Sequence, residues 1–240
     1  MGFDIEGANA VADQLSLVQM YYDLGVRWML LAYNRNNRVG GGCQDEDGGL
    51  TAFGREVVAE MERVGMQLCL SHTGHRTVRD VFAVATRPVI FSHSNCAALH
   101  GHPRNIPDEF IRACAATGGV VGLNGVGIFL GNNDITSATF AQHVDHVVQL
   151  VGPAHASLAL DYVFDIRELE DFMRTMQHTF PPGLGYEQGA RFVAPEQLEE
   201  IVATLQGLGY RDADLKAVLG GNLMRLAREV WKPSRKHADV

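Results

Sequence analysis

The sequence predicts an α/β fold of parallel strands closed into a (β/α) barrel, and three observations carry that expectation. Five short apolar runs recur along the chain, each followed by a helical pattern, the signature of buried parallel strands alternating with helices. A polar residue stands at the C-terminal end of every run: Tyr33-Asn34, His72, His93, Asn124 and Asp161. No glycine-rich phosphate loop follows any run, so a nucleotide-binding open sheet is poorly supported. In a barrel, the ends of such strands are where chemistry is placed.

The elements follow in order. Phe3-Asp4-Ile5 is a short apolar stub ending at Glu6-Gly7, followed by a helix-like stretch over Ala8–Leu24. Arg27–Ala32 reads as a strand and leads, through a glycine-, asparagine- and acid-rich loop over Asn34–Gly49, to an amphipathic helix at Phe53–Val64. Met66–Ser71 precedes a helix near Val78–Ala85. Val89–Ser92 precedes a loop and then a helix over Pro107–Thr117, with proline and acids in its first turn and Gly118-Gly119 as its stop. Gly119–Leu123 precedes a helix over Ala138–Leu150. Ala156–Leu160 precedes a long loop, Phe164–Pro195, and the C-terminal helices. Long loops on the C-terminal face shape substrate pockets. With 240 residues and no internal repeat, one domain over 1–240 is expected.

Composition narrows the function classes. Hydrophobic content of 46% and charged content of 20% describe a globular chain. A formal net charge of −8 argues against a nucleic-acid surface, which needs a basic face. No apolar run is long enough for a membrane span, and Met1–Glu6 lacks a basic signal-peptide start, so a cytoplasmic location is expected. Cys43, Cys69, Cys96 and Cys114 form no C-x-x-C pair and read as reduced thiols.

His72 and His93 each follow a serine at successive strand ends, which would aim two imidazoles into one mouth. A lone histidine there reads as a hydrogen-bonded core residue; two together point to a metal, with a carboxylate from Glu6 or Asp161 completing the set. Asp161 reads equally as a salt-bridge partner or helix cap, since a buried aspartate needs pairing. Arg104 reads either as a clamp for a substrate carboxylate or as a surface arginine. His143 and His146, three apart on one helix, read as surface or packing residues. His100-Gly101-His102 reads as loop, and Asp45-Glu46-Asp47 as solvated acids.

Six segments together resemble the membrane (renal) dipeptidase family of zinc peptidases: Ser71-His72-Thr73-Gly74, Pro88–Asn95, Pro103-Arg104-Asn105-Ile106-Pro107-Asp108, Gly118–Asn124, Asp161–Asp165 and Leu219–Arg225. The resemblance runs from about residue 3 to 231. It implies a metallo-dependent (β/α)₈ TIM-barrel hydrolase that holds two zinc ions and cleaves dipeptides. It implies that Glu6 bridges the metals, His72 and His93 bind the second metal, Arg104 grips the substrate carboxylate and Asp161 transfers a proton. Tyr33 falls where other members carry an oxyanion-steadying histidine, and Cys69 where many carry an aspartate. The family's H-x-D ligand pair is missing before Glu6, and five strands plus a stub make six. The chain is therefore expected to lack the first two βα units, to hold one zinc at most, and to expose strand edges prone to association. A dipeptide is the expected partner, homodimerisation is left open, and two alternatives stand: a non-catalytic remnant, or a mononuclear amidohydrolase-like enzyme.

Overall fold

The computed structural model describes residues 2–232, and the chain divides into two compact units. The first comprises, of the described residues, 2–91, Ala116–Gly119 and 223–232. It carries β1 (Phe3–Ile5), α1 (Ser16–Asp23), β2 (Val26–Leu30), α2 (Ala52–Val64), β3 (Gln67–Cys69), α3 (His75–Val84) and β4 (Val89–Phe91). The second comprises Ser92–Ala115 and Val120–Asn222. Its elements are α4 (Asp108–Ala116), β5 (Val120–Asn124), α5 (Gly127–Leu130), α6 (Ser137–Val151), β6 (Ala156–Ala159), α7 (Ile166–Thr175), α8 (Leu198–Gly207) and α9 (Asp212–Lys216). The last helix, α10 (Asn222–Val230), falls almost wholly in the first unit's C-terminal stretch.

Six strands form one sheet in chain order, β1 to β6. The pairings in the first unit are parallel, with Trp28 opposite Gln67, Leu30 opposite Cys69 and Cys69 opposite Ile90. In the second, Val121 lies opposite Ala156 and Asn124 opposite Ala159, again parallel. Every residue of β3, β4 and β5 is buried, which is why these segments read as largely apolar runs, with Gln67 and the terminal Asn124 as the polar members. The strands, α2, α3, α4 and α6 lie where the sequence places them, to within three residues. Helix α2 packs one face inward through Val57, Val58, Met61 and Val64, the spacing of a single helical stripe. Thr51 caps its start by accepting from the Gly54 N–H, and Gly65 ends it at φ 90°. Helix α6 is built likewise, capped by Thr136 and buried through Phe140, Val144 and Val147.

Two expectations need correction. The helical pattern over Ala8–Leu24 is broken into a 3-10 turn at Ala8–Val11 and α1, because Ala12 turns left-handed at φ 52° and donates to the Asn9 carbonyl. Phe164–Pro195, expected as a loop, contains α7. Asp165 caps that helix by accepting from the Arg167 and Glu168 N–H groups, and none of its residues is fully buried. Among the described residues no helix is long and apolar enough to cross a membrane.

Candidate metal centre

Glu6 is the residue immediately after β1, His72 lies three residues after β3, and His93 two after β4. Each is thus delivered by the C-terminal end of a strand. The ligand atoms of these three side chains all lie within 4.8 Å of one another, with both histidines buried and Glu6 exposed. Two imidazole nitrogens and a carboxylate oxygen are a donor set that suits zinc, and three protein ligands leave a position for water. The three residues expected as metal ligands thus form a candidate site.

Each imidazole has an oxygen at Nδ1. Asn34 Oδ1 lies 2.7 Å from His72 Nδ1, and Ser92 Oγ lies 2.7 Å from His93 Nδ1. With Nδ1 so engaged, Nε2 is the nitrogen that either ring would offer to a metal. Tyr33 stacks on the His72 ring at 4.2 Å between centroids and 20° between planes, fixing the ring's plane. Burial drives the His93 pKa well below its ordinary value; attraction from Asp161 opposes that shift and repulsion from Arg104 adds to it. A neutral imidazole is the form that ligates a metal.

Arg104 is 2% exposed, which rules out the surface reading. One Nη donates to the His93 carbonyl at 3.1 Å, and the guanidinium carbon lies 5.2 Å from the Phe129 ring centre. Its Nε and other Nη are buried without a hydrogen-bond partner. A buried cation with unused donors is costly, and an anionic ligand group would offset that cost. Asp161 corrects an expectation: it is exposed, not buried, and its described partner is neither an ion-pair cation nor a helix terminus. Its Oδ2 accepts from the Asn124 amide at 2.9 Å, and its backbone sits at φ 53°. Asn124 is itself fixed, since its Oδ1 accepts from the Val126 N–H and its own N–H donates to Asn95.

The remaining polar residues serve structure. His143 is buried, accepting from the Cys96 N–H and bonded to the Leu130 carbonyl, so it is a packing residue. His146 pairs with Asp108 at 2.8 Å. His100 and His102 lie in the loop, where His102 contacts the Leu184 carbonyl. Asp45 and Asp47 are not free solvated acids: Asp45 pairs with Arg35, and Asp47 accepts from Gly49 and from both backbone and hydroxyl of Thr77. None of the four cysteines forms a disulfide among the described residues. Sequence reasoning names Asn34 and Asn124 as strand-end residues and assigns them no role; the signal was their place beside the assigned Tyr33 and opposite Asp161.

The family model described as "Membrane dipeptidase (Peptidase family M19)" matches residues 1–178. Dipeptidase aclJ of Aspergillus oryzae is 33% identical over 242 residues, covering 98% of this chain and 53% of its own length. An amidohydrolase from Pseudomonas aeruginosa has a TM-score of 0.86 at 31% identity, over 95% of this chain and 72% of that one. A metallo peptidase from Rhodobacter sphaeroides, liganded with a phosphinate mimic of the dipeptide L-Ala-D-Ala, has a TM-score of 0.78 at 24% identity, over 96% and 63%, a likeness of fold. The chain spans about half the length of the curated relatives it matches. On these matches the chain belongs to the membrane dipeptidase family of metallopeptidases, family M19.

Proposed function

We propose that this chain binds one zinc ion through Glu6, His72 and His93 and acts on dipeptides. The observation that carries the reading is the convergence of those three ligand atoms within 4.8 Å. Its six ordered strands are read as part of a (β/α)₈ barrel, as the likeness to the Pseudomonas structure supports. When bound, zinc would supply a water made acidic enough to deprotonate near neutral pH and would polarise the scissile carbonyl.

The protein's own groups do the rest. Arg104 presents its unpaired guanidinium nitrogens to the substrate's C-terminal carboxylate and fixes that end. Asp161, with Oδ2 held by Asn124, offers Oδ1 to the substrate ammonium and carries a proton to the leaving nitrogen. Tyr33 donates its hydroxyl hydrogen to the oxygen of the tetrahedral carbon. Recognition of both charged ends limits substrates to two residues. A single-metal site is favoured because, among the described residues, no second group of three metal-binding side chains occurs.

Elemental analysis of the folded chain should find about one zinc per molecule, lost in His93→Ala. With zinc bound, Arg104→Ala should lower kcat/KM for dipeptides about 100-fold while leaving dipeptide amides, which lack the carboxylate, unchanged. A zinc-loaded chain that cleaves no dipeptide would exclude the enzymatic reading and leave a metal-binding relative.

A further inference from the structure

Asn34 and His72 share an unusual backbone, both left-handed at φ 58° and 65°. The loop between β2 and α2 clasps them together. The Gln44 N–H donates to the Asn34 carbonyl at 2.9 Å, the Cys43 N–H donates to the His72 carbonyl at 2.9 Å, and Gly42 bridges Thr73 in antiparallel fashion. Glycine is required at 42: a Cβ there would sit 2.2 Å from the Asn34 carbonyl carbon. The product of this clasp is the side-chain contact. Asn34 is fully buried, and its Oδ1 meets His72 Nδ1 at 2.7 Å and the Cys43 thiol at 3.5 Å.

We infer that Asn34 is a positioning residue for the metal centre, holding His72 in the tautomer protonated at Nδ1 so that the Nε2 lone pair faces the metal. An amide oxygen accepts the Nδ1 proton and cannot donate one. Neutral imidazole in water prefers its proton on Nε2, which would block the ligating nitrogen, so the partner at Nδ1 must reverse that preference. Tyr33 restrains the plane of the ring and Asn34 its rotation and its proton. The inference rests on the reading of His72 as a metal ligand, and it adds a residue outside the ligand set.

The test uses ¹⁵N-histidine-labelled, metal-free protein, with the His72 ring signals assigned through His72→Gln. Two-dimensional NMR should show His72 protonated at Nδ1 in the wild type and at Nε2 in Asn34→Gly, a change that the left-handed φ tolerates. Asn34→Asp, which keeps the acceptor, should keep the Nδ1 tautomer. Zinc affinity by chelator competition should fall 10–100-fold in Asn34→Gly and return to within about threefold of wild type in Asn34→Asp. A wild-type His72 protonated at Nε2 overturns the inference whatever the zinc result. So does a folded Asn34→Gly chain that binds zinc within about threefold of wild type, and this leaves the metal reading intact. Failure of the wild type to bind zinc despite an Nδ1 tautomer overturns the positioning role together with the metal reading.

Discussion

His143 makes a test at the level of one residue, because its ring is buried between two backbone partners and has no role in the proposed chemistry. Burial is the main reason that its pKa is pushed down to about 4; repulsion from His100 and His146 adds to this, and the bond to Leu130 opposes it. The unfolded chain takes up a proton as pH falls through about 6.5, while the folded chain stays neutral to about 4. The contribution is therefore complete above pH 6.5 and declines on acidification by about 1.4 kcal/mol per pH unit across that window. His102, whose pKa is also pushed down to about 4 by burial, adds a slope of the same sign. His93, pushed down by burial as well, does the same, and His143→Gln isolates one of the three. At pH 7.5 it should be less stable than wild type by about 1–3 kcal/mol, and urea midpoints should show the gap closing toward pH 4.5. A gap independent of pH would mean that His143 takes up its proton alike in the folded and unfolded chains, so that burial does not lower its pKa.

At the level of elements, the loop from Asn34 to Leu50 matters more than its polar, glycine-rich sequence suggests. Asp47 organises it by accepting from Gly49 and from the backbone and hydroxyl of Thr77 at the start of α3. Burial works to raise its pKa, but those hydrogen bonds outweigh it and hold the carboxyl below its ordinary value. Gly41 and Gly74 leave room for the carboxylate, since a Cβ at either would come within 2.4 Å of its oxygens. Asp47→Ala should cost about 2–3 kcal/mol by thermal unfolding and also weaken zinc binding, because the same loop clasps Asn34 against His72. Asp47→Asn should lose less, keeping one acceptor oxygen. Unchanged zinc affinity in a destabilised Asp47→Ala chain would separate the loop from the metal site. What the sequence made legible follows from the same physics. Strands β3 to β5 are uniformly buried, so their apolar runs and terminal His72, His93 and Asn124 could be read directly. Asp47, Asn34 and the burial of Arg104 depend on contacts between segments distant in sequence, which no local pattern reveals. Helix α7 was hidden for a different reason: no residue in it is fully buried, so its apolar positions carried little weight, although the Asp165 cap was a usable sign.

For the molecule as a whole, the pertinent feature is the rim of the sheet at β1. Among the described residues this strand is at one end of the strand order, pairs with β2, and is largely exposed, with Phe3 at 61%. The neighbouring turn adds Leu24 at 69%, and the Phe3 N–H reaches across to the Gly25 carbonyl. Edge strands in monomeric proteins are usually guarded by charge, proline or a covering element. Here Asp4 is the one charged residue in β1, and an aromatic ring stands beside it. An edge with one charge and exposed apolar side chains pairs with another copy as concentration rises. Light scattering on the purified chain should therefore show mass increasing with concentration. Phe3→Lys, which puts a gatekeeper charge on the edge without touching Glu6, should shift the onset of association to concentrations about tenfold higher. The same variant should take up zinc as the wild type does, since the proposed metal ligands lie beyond the end of β1 and at the ends of β3 and β4. A wild-type chain that stays monomeric at high concentration, or a Phe3→Lys chain that associates as readily, would place the association surface elsewhere or remove it.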